Sequence, residues 1–286
     1  MWQLLEPYHA VVYFEPDAKS IYERAGLKGY WMGYFASRAA AMGPVPAEVV
    51  IAAFYNFNPA MVRRAIPDAW RFSSPERVLE ARYVVADRAL HRLLGAAIGS
   101  ADVATAAGLV RRAAAACELT GRPLFAAHTA LPWPSQPHMV LWHGATLLRE
   151  HRGDGHVASL TIEAIDGCEA NAMMAAAGAV PEGQRTYRGW SDGDWDAAME
   201  RLEARGLLDG DGHLTDAGRS VRRDVEERTD TLAAPSFAGF EEVDVAELTR
   251  IMDGLGTLIQ TGDGVPFPNP MGLTRAGTSS ERDRHE

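Results

Sequence analysis

Cysteine and lysine are both scarce in this sequence. The two cysteines, Cys117 and Cys168, lie in alanine-rich stretches, and no CxxC pattern occurs. This absence excludes a cysteine-based zinc or redox motif and predicts two buried, reduced thiols. Only two of the 286 residues are lysines, no run of basic residues occurs, and the formal net charge is −10. Such a charge balance disfavours binding to a phosphate backbone.

Long apolar runs are absent as well. The first residues carry the acids Glu6, Glu15 and Asp17, where a secretory signal peptide has a basic region followed by an apolar one. No apolar run reaches the ~18 residues that a membrane-spanning helix requires. We therefore predict a cytoplasmic protein with no membrane partner. Its composition, 47% hydrophobic and 23% charged, is typical of a globular protein with one large domain or two smaller ones.

Helical periodicity dominates the chain, and strand patterns are almost absent. Asn58-Pro59 and Ser74-Pro75 each place an N-cap residue before a proline at the first helical position. They predict helices that begin at 59 and 75. The fold class is therefore predicted to be mainly α. The other predicted helices cover 42–57, 101–118, 137–151, 155–178, 191–205, 215–232 and 244–260, and 20–41 has a helical pattern that glycines interrupt.

The C-terminal third has a pattern of its own. Trp195, Met199 and Leu202 recur at helical spacing in a helix that ends in LEARGLL, and LTDAGR opens the next helix after the turn DGDG. This arrangement resembles the winged helix of MarR-type regulators. The whole chain is also similar to an uncharacterised actinobacterial helix-turn-helix family. The segments that carry this similarity are EPYHAVVYF, FYNFNPAM, RPLFAAHTALPWP, LLREHRGDGHVA, RGWSDGDW and PFPNPMGL.

The resemblance implies a multi-helix N-terminal region joined to a degenerate winged helix-turn-helix unit with a small two-stranded wing around 207–214. We divide the chain into a helical region at 1–183, a winged-helix-like unit with its following helix at 184–262, and a proline-rich segment with a flexible tail at 263–286. Winged-helix proteins of this type often dimerise, so a homodimer is expected. The tail after Thr274 is expected to be disordered, whereas PFPNPMGL is expected to dock on the body.

The charges of the winged-helix unit argue against DNA binding. The helix that would enter the major groove carries Asp196, Glu200 and Glu203 on one stripe. Carboxylates that face phosphates are unfavourable, and no counterion release offsets them. The wing sequence DGDGH is acidic too, and the only local basic cluster lies at 219–223. We therefore expect that DNA binding has been lost and that nucleic acid is not a partner.

The stretch LLREHRGDGH, residues 147–156, surrounds two glycines with charged and histidine side chains. Gly153 is a typical helix stop and Asp154 a typical N-cap, so RGDG predicts the turn of an antiparallel helical hairpin. His143 and Glu163 lie ten residues before and after Gly153. At a rise of ~1.5 Å per residue, the hairpin would bring these two side chains level with each other.

Inward-facing histidines and carboxylates on paired helices bind metals or act as general acids and bases. We therefore predict His143, Glu163 and His156 as catalytic residues or metal ligands, with His151 and His156 at the mouth of the site. A neighbouring carboxylate would raise the pKa of such a histidine. Two alternatives stay open: RGDG is only a solvated charged turn, and His143 with Glu163 is only a buried hydrogen bond.

Aromatic residues are numerous for a helical protein, with seven tryptophans and eight tyrosines. They favour an apolar ligand cavity, and ordinary core packing is the alternative for each of them. The candidate ligand-binding residues are Tyr30, Trp31, Tyr34, Tyr55, Asn58, Trp142 and His151.

These patterns together predict a small-molecule-binding protein on a repurposed winged-helix scaffold, and they leave open whether it is an enzyme. The cofactor is undetermined, since a divalent metal, haem and flavin are all compatible with the sequence. The first alternative is a ligand-responsive winged helix-turn-helix transcriptional regulator. The second is a purely structural interaction module.

Overall fold

A computed structural model describes residues 1–181 and 183–275, so most of the predicted disordered tail lies outside the described residues. The described part is mainly helical, as predicted. Its N-terminal helices are α1 (Trp2–Phe14), α2 (Ala18–Arg24), α3 (Gly29–Ala39), α4 (Ala47–Phe54), α5 (Pro59–Arg63), α6 (Ala69–Phe72), α7 (Pro75–Leu94), α8 (Ala101–Ala115) and α9 (Pro123–Thr129). The remaining helices are α10 (Pro137–Ile162), α11 (Gly167–Ala176), α12 (Gln184–Tyr187), α13 (Asp192–Ala204), α14 (Asp216–Ala233) and α15 (Glu242–Thr261).

The proline-initiated helices begin where the sequence predicts. The Asn58 side chain accepts a hydrogen bond from the Ala60 N–H at 2.8 Å, and α5 begins at Pro59. Ser74 likewise accepts from Arg77, and α7 begins at Pro75. These caps satisfy backbone donors that no carbonyl within the helix can reach.

The predicted two-stranded wing is wrong. Within the described residues, a single antiparallel bridge joins Leu208 and Leu214, and no strand forms. The Asp209 carboxylate accepts from the backbone N–H groups of Asp211 and His213 at 3.0 and 2.9 Å. These side-chain contacts close a compact turn, so the chain has no length left for a ladder.

Helix α10 is the central element of the molecule. It packs against α1, α7, α8, α9 and α14. Trp142, in its second turn, is fully buried, and the indole N–H donates to the His9 carbonyl at 3.2 Å. Helix α15 packs against α1 and α8, and its Leu248, Met252 and Ile259 belong to the same large core.

A second, smaller core joins the end of α10 to α11, α13 and α14, the helices in and around the predicted winged-helix unit. It contains Leu160 at the end of α10, Met173 of α11, Leu202 of α13 and Val225 of α14. Trp195 and Met199 pack against it, as their helical spacing predicts. The winged-helix unit therefore rests on the C-terminal half of α10.

The predicted helical hairpin is wrong, because α10 runs without interruption through RGDG from Pro137 to Ile162. The helix predicted at 137–151 and the start of the one predicted at 155–178 form one helix of 26 residues. The chain turns only later, at Ala164, which has a φ of +51°, before Asp166 caps the separate helix α11.

The structure gives the residues of RGDG other roles. The Asp154 carboxylate accepts from the backbone N–H groups of Leu124 and Phe125, so it caps the neighbouring helix α9 and not its own. A Cβ atom at Gly155 would clash with the Arg122 guanidinium, which crosses α10 at that point. Glycine at 155 therefore serves close packing between helices, and a continuous helix accommodates it.

Among the helices of the described residues, none is by itself long and apolar enough to cross a membrane. Only the segments Pro75–Gly99 and Ala101–Ala115 meet the length and composition criteria as a pair, and they are bent by 110°.

Candidate functional site

A large cavity lies between the helical body and the winged-helix unit. Its volume is about 1040 Å³, which suits a drug-sized ligand or larger. Side chains from α1, α3, α10, α11 and α14 line it, together with the loop 55–57 and the segment 266–272 near the C-terminus. The residues that line the cavity therefore come from many parts of the chain, from Trp2 to Gly272.

One wall of the cavity is aromatic. The Tyr34 ring is the centre of this wall, with Tyr13, Trp31 and Phe57 at centroid distances of 5.2, 5.7 and 5.5 Å. Tyr30 packs beside them, and its hydroxyl donates to the Tyr13 carbonyl. The glycine-rich start of α3 places these rings on one side of the cavity, which can receive a flat apolar group.

Next to this wall lie four charged side chains, which we call the deep cluster: Glu6, Arg38, Arg149 and Glu150. All but the half-buried Arg149 are buried, and Arg38 donates to the hydroxyl of Tyr34 at 3.3 Å. The Glu150 carboxylate accepts from Arg38 at 3.2 Å and from Arg149 at 2.9 Å. Arg149 also lies 3.5 Å from the Glu6 carboxylate. Both carboxylate side chains are 2% exposed, so these pairs are shielded from water and its screening.

The contacts of the deep cluster shift the pKa values of its acids in opposite directions. Burial would raise the pKa of Glu150, but Arg149 and Arg38 outweigh burial and hold that pKa well below its usual range. Burial raises the pKa of Glu6, because Arg149 offsets it only in part. Glu150 is therefore a fixed anion, whereas Glu6 is the acid of the pair that protonates more readily.

Arg188 enters the same cavity from the residue after α12. One of its Nη atoms donates to the Pro270 carbonyl at 2.9 Å, and its guanidinium lies 4.5 Å from the centroid of the Phe57 ring. Among the described residues, no carboxylate lies within 4.0 Å of it. Arg188 thus brings a positive charge that the described part of the protein does not pair.

Several buried polar atoms of the cavity lining have no hydrogen-bond partner within the described part of the chain. Such atoms cost free energy unless a ligand or water satisfies them. They are Glu6 Oε2, Arg38 Nε, Asn56 Oδ1, Gln184 Oε1 and Arg188 Nε. Their number and their common location mark this cavity as a site for a partner with polar groups.

A second set of charges, the outer cluster, joins α10 to α14. Arg152 binds Glu226 at 2.7 Å and Asp230 at 2.9 Å, and His156 lies 3.1 Å from the Thr229 hydroxyl. Burial lowers the pKa of His156, and Glu226 only partly opposes the shift. His156 is therefore a neutral hydrogen-bonding group near pH 7.

The structure separates the residues of the predicted catalytic and metal site. His143, His156 and Glu163 lie along α10 and its C-terminal cap, and the 20 residues between the first and the last correspond to ~30 Å of helix. Glu163 instead binds Arg228 of α14 at 2.9 Å. Because the hairpin does not exist, nothing brings His143 and Glu163 together.

His143 is a buried core histidine. One ring nitrogen lies 3.0 Å from the Tyr83 hydroxyl, and the ring packs edge-on against Trp133. Burial lowers its pKa to about 4, with His128 and Arg82 adding to the effect. The expected rise of the pKa is therefore wrong, since burial dominates and the neighbouring His128 and Arg82 shift the pKa in the same direction.

The predicted ligand-binding residues divide into two groups. Tyr30, Trp31, Tyr34 and Tyr55 line the cavity, and so does His156. The other three predicted residues lie elsewhere: Trp142 is in the core against His9, His151 packs against Phe125, and Asn58 caps α5.

Sequence reasoning missed Glu6, Arg38, Arg149 and Arg188 as site residues. A signal was present for two of them. Glu6 interrupts the apolar run of WQLLEPYHAVVYF, and Arg38 lies in the alanine-rich end of α3. A lone charge on the buried side of a helix indicates a buried ion pair or a ligand contact.

Possible metal ligands converge at two other places in the described residues. Asp87, His91 and His138 form one group, and Asp209, Asp211 and His213 form the other, which is exposed. In the first group, His138 Nε2 lies 2.7 Å from the Asp87 carboxylate, at hydrogen-bond distance. Neither group includes a residue of the predicted site or of the cavity.

The exposed face of α13 is acidic. Asp196, Glu200 and Glu203 are all exposed. Arg201 binds Asp166 and Glu169 of the α11 region, and Arg205 donates to the carbonyls of Glu163 and Ala164. The two arginines of this region therefore attach α13 to the body.

Comparison with known proteins supports the fold. A family model described as a helix-turn-helix family matches residues 1–266. No curated protein and no solved structure matches the chain. The family match covers nearly all of the described residues, so the chain belongs to a helix-turn-helix family.

Proposed function

We propose that this protein binds a small molecule in the cavity between its helical body and its winged-helix unit. The observation that carries the proposal is the set of unpartnered buried polar atoms on the walls of a cavity of about 1040 Å³. An empty cavity with these groups is costly, and a ligand with an apolar body and polar ends would satisfy them.

The charges of the winged-helix unit support a binding role without DNA. Residues 191–219 resemble the winged helix of MarR-type regulators, but the α13 surface presents carboxylates. Its nearby arginines are engaged within the protein, and Arg222 of α14 lines the cavity. We infer that the helix-turn-helix scaffold has been adapted to form one wall of a ligand site, with nucleic acid no longer a partner.

A titration with the neutral fluorophore N-phenyl-1-naphthylamine tests the proposal. We expect its fluorescence to rise on binding to one apolar site per chain. Ala53→Trp places a large ring in the cavity and should weaken binding about tenfold or more. The matched control is Ala104→Trp on the exposed face of α8, which should bind as the wild type does. Equal binding by wild type and Ala53→Trp would refute a ligand site in this cavity.

The second candidate is a ligand-responsive transcriptional regulator. One observation favours it: Val221, Arg222, Val225 and Glu226 of α14 line the cavity, so a ligand would contact the helix-turn-helix unit directly. Gel-shift titrations with fragments of the host genome at roughly 50 mM salt test this function. A sequence-specific shift that the ligand alters would establish the regulator, and no shift at low salt would exclude it.

A further inference from the structure

We propose that the cavity selects ligands that carry a carboxylate on an aromatic or apolar body, and that Arg188 is the residue that binds the carboxylate. This inference rests on the proposed function and names the chemical class of the ligand. Three observations support it: the positive charge near Arg188, the unpartnered guanidinium N–H groups there, and the aromatic wall beside them.

The part of the cavity formed by the deep cluster and Arg188, which we call the deep end, has an excess of positive charge. The deep cluster contains two arginines and two glutamates, and Arg188 adds a third guanidinium. The outer cluster does not add to the excess, since Arg152 is paired with Glu226 and Asp230. The deep end therefore carries one formal positive charge that no described residue compensates.

Two guanidinium donors at the deep end have no acceptor in the described part of the chain. Arg38 is 5% exposed, and its Nε has no partner although its Nη2 binds Glu150. Arg188 uses one Nη for Pro270, while its Nε is buried without a partner. A carboxylate accepts two parallel hydrogen bonds from a guanidinium fork, which an uncharged acceptor cannot match in strength.

The pKa of the Tyr34 hydroxyl is shifted in the direction that this positive charge would cause. Burial would raise the pKa of this hydroxyl, yet Arg38, Arg188 and Arg149 outweigh burial and hold that pKa below the usual range of a tyrosine. Burial also lowers the pKa of Arg188; its contact with Tyr34 opposes this shift, and the neighbouring Arg38 and Arg149 add to it. An anion bound here would relieve this repulsion.

The size of the charge excess favours a carboxylate over a phosphate ester. One carboxylate neutralises one formal charge, whereas a phosphate monoester carries about −1.5 to −2 at pH 7. The adjacent aromatic wall then receives the apolar body, because the Arg188 guanidinium lies beside the Phe57 ring of that wall.

Displacement of N-phenyl-1-naphthylamine by two matched compounds tests the inference. We expect 1-naphthaleneacetate to displace the fluorophore at a concentration at least tenfold lower than its neutral amide, 1-naphthaleneacetamide. Arg188→Gln should bring the two compounds to equal potency and leave the amide unchanged. Arg185→Gln is the control, since Arg185 pairs with Asp192 and does not line the cavity.

The outcomes separate the two claims. Equal potency of acid and amide on the wild type would overturn the carboxylate inference while the proposed function stands. Stronger displacement by 1-naphthyl phosphate than by the acetate would overturn it in favour of phosphate esters. Fluorophore binding that Ala53→Trp does not weaken would instead refute the proposed function itself.

Discussion

At the scale of single residues, burial decides the chemistry of the histidines. His128, His143 and His151 come from a histidine-rich part of the sequence that suggests a reactive site. Each is buried, and burial lowers the pKa of each to about 4. They are neutral packing and hydrogen-bonding groups near pH 7. The charged side chains that line the cavity are instead arginines and carboxylates.

These histidines make the stability of the protein depend on pH. The unfolded chain protonates them near pH 6.5, whereas the folded protein keeps them neutral down to about pH 4. Unfolding therefore takes up protons in this window, and the free energy of unfolding falls as the pH decreases from 6.5 to 4. Each histidine contributes about 1–3 kcal/mol to the loss.

Urea denaturation of His143→Phe at several pH values checks this expectation. Relative to wild type, the variant should gain stability as the pH falls from 6.5 to 4, since it lacks one of the groups that must stay neutral. Ile162→Ala, at an exposed position of the same helix, is the control and should give a curve parallel to that of the wild type. Parallel curves for His143→Phe and wild type would contradict the burial argument.

At the scale of elements, the glycines of α10 distinguish a continuous helix from a turn. No atom lies closer than 3.9 Å to a Cβ placed at Gly153, so Gly153→Ala should raise the free energy of unfolding by about 0.5–1 kcal/mol through helix propensity. At a turn with positive φ, the same change would be destabilising.

Gly155→Ala is the matched substitution two residues further on. Its methyl group would clash with the Arg122 guanidinium, which donates to the carbonyls of His151 and Leu232 at 2.8 and 3.0 Å. We expect a loss of about 1–3 kcal/mol from the displaced hydrogen bonds. Thermal or urea denaturation of the two variants measures the pair, and the same sign for both would argue against this role of the glycines.

The same helix shows how far the sequence predicts the elements. Caps with local chemistry were predictable, because Asn58 and Ser74 act within three residues of their position. RGDG was not, because the partners of Asp154 and Gly155 are Leu124 and Arg122, which lie about 30 residues earlier. Turn chemistry and close packing use the same residue types, and only tertiary contacts distinguish them.

At the scale of the whole molecule, the cavity depends on the segment after α15. Val265 and Leu273 are buried in the main core, Asn269 is 1% exposed, and Pro266, Pro268 and Pro270 line the cavity. The aromatic wall was partly predictable from composition. The cavity itself was not, since its walls come together from positions as distant as Trp2 and Gly272.

Two truncations test the role of this segment. A chain that ends after Asp263 loses the buried Val265 and Leu273 and the acceptor of Arg188, so its stability should fall by roughly 3–5 kcal/mol and its binding of N-phenyl-1-naphthylamine by tenfold or more. A chain that ends after Arg275 retains every described cavity residue and should match the full chain. Denaturation and fluorophore titration of both chains measure the difference, and equal binding by the shorter chain would exclude a closing role for the segment.

The packing of the first helix against the last has a consequence for the order of folding. Helix α1 supplies Trp2 and Glu6 to the cavity, but it packs on α15, so its final contacts wait until α15 has been synthesised. Contacts of such high sequence separation form late and slowly. A ligand that needs the finished cavity will therefore act mainly by slowing unfolding, and it will leave the rate of folding almost unchanged.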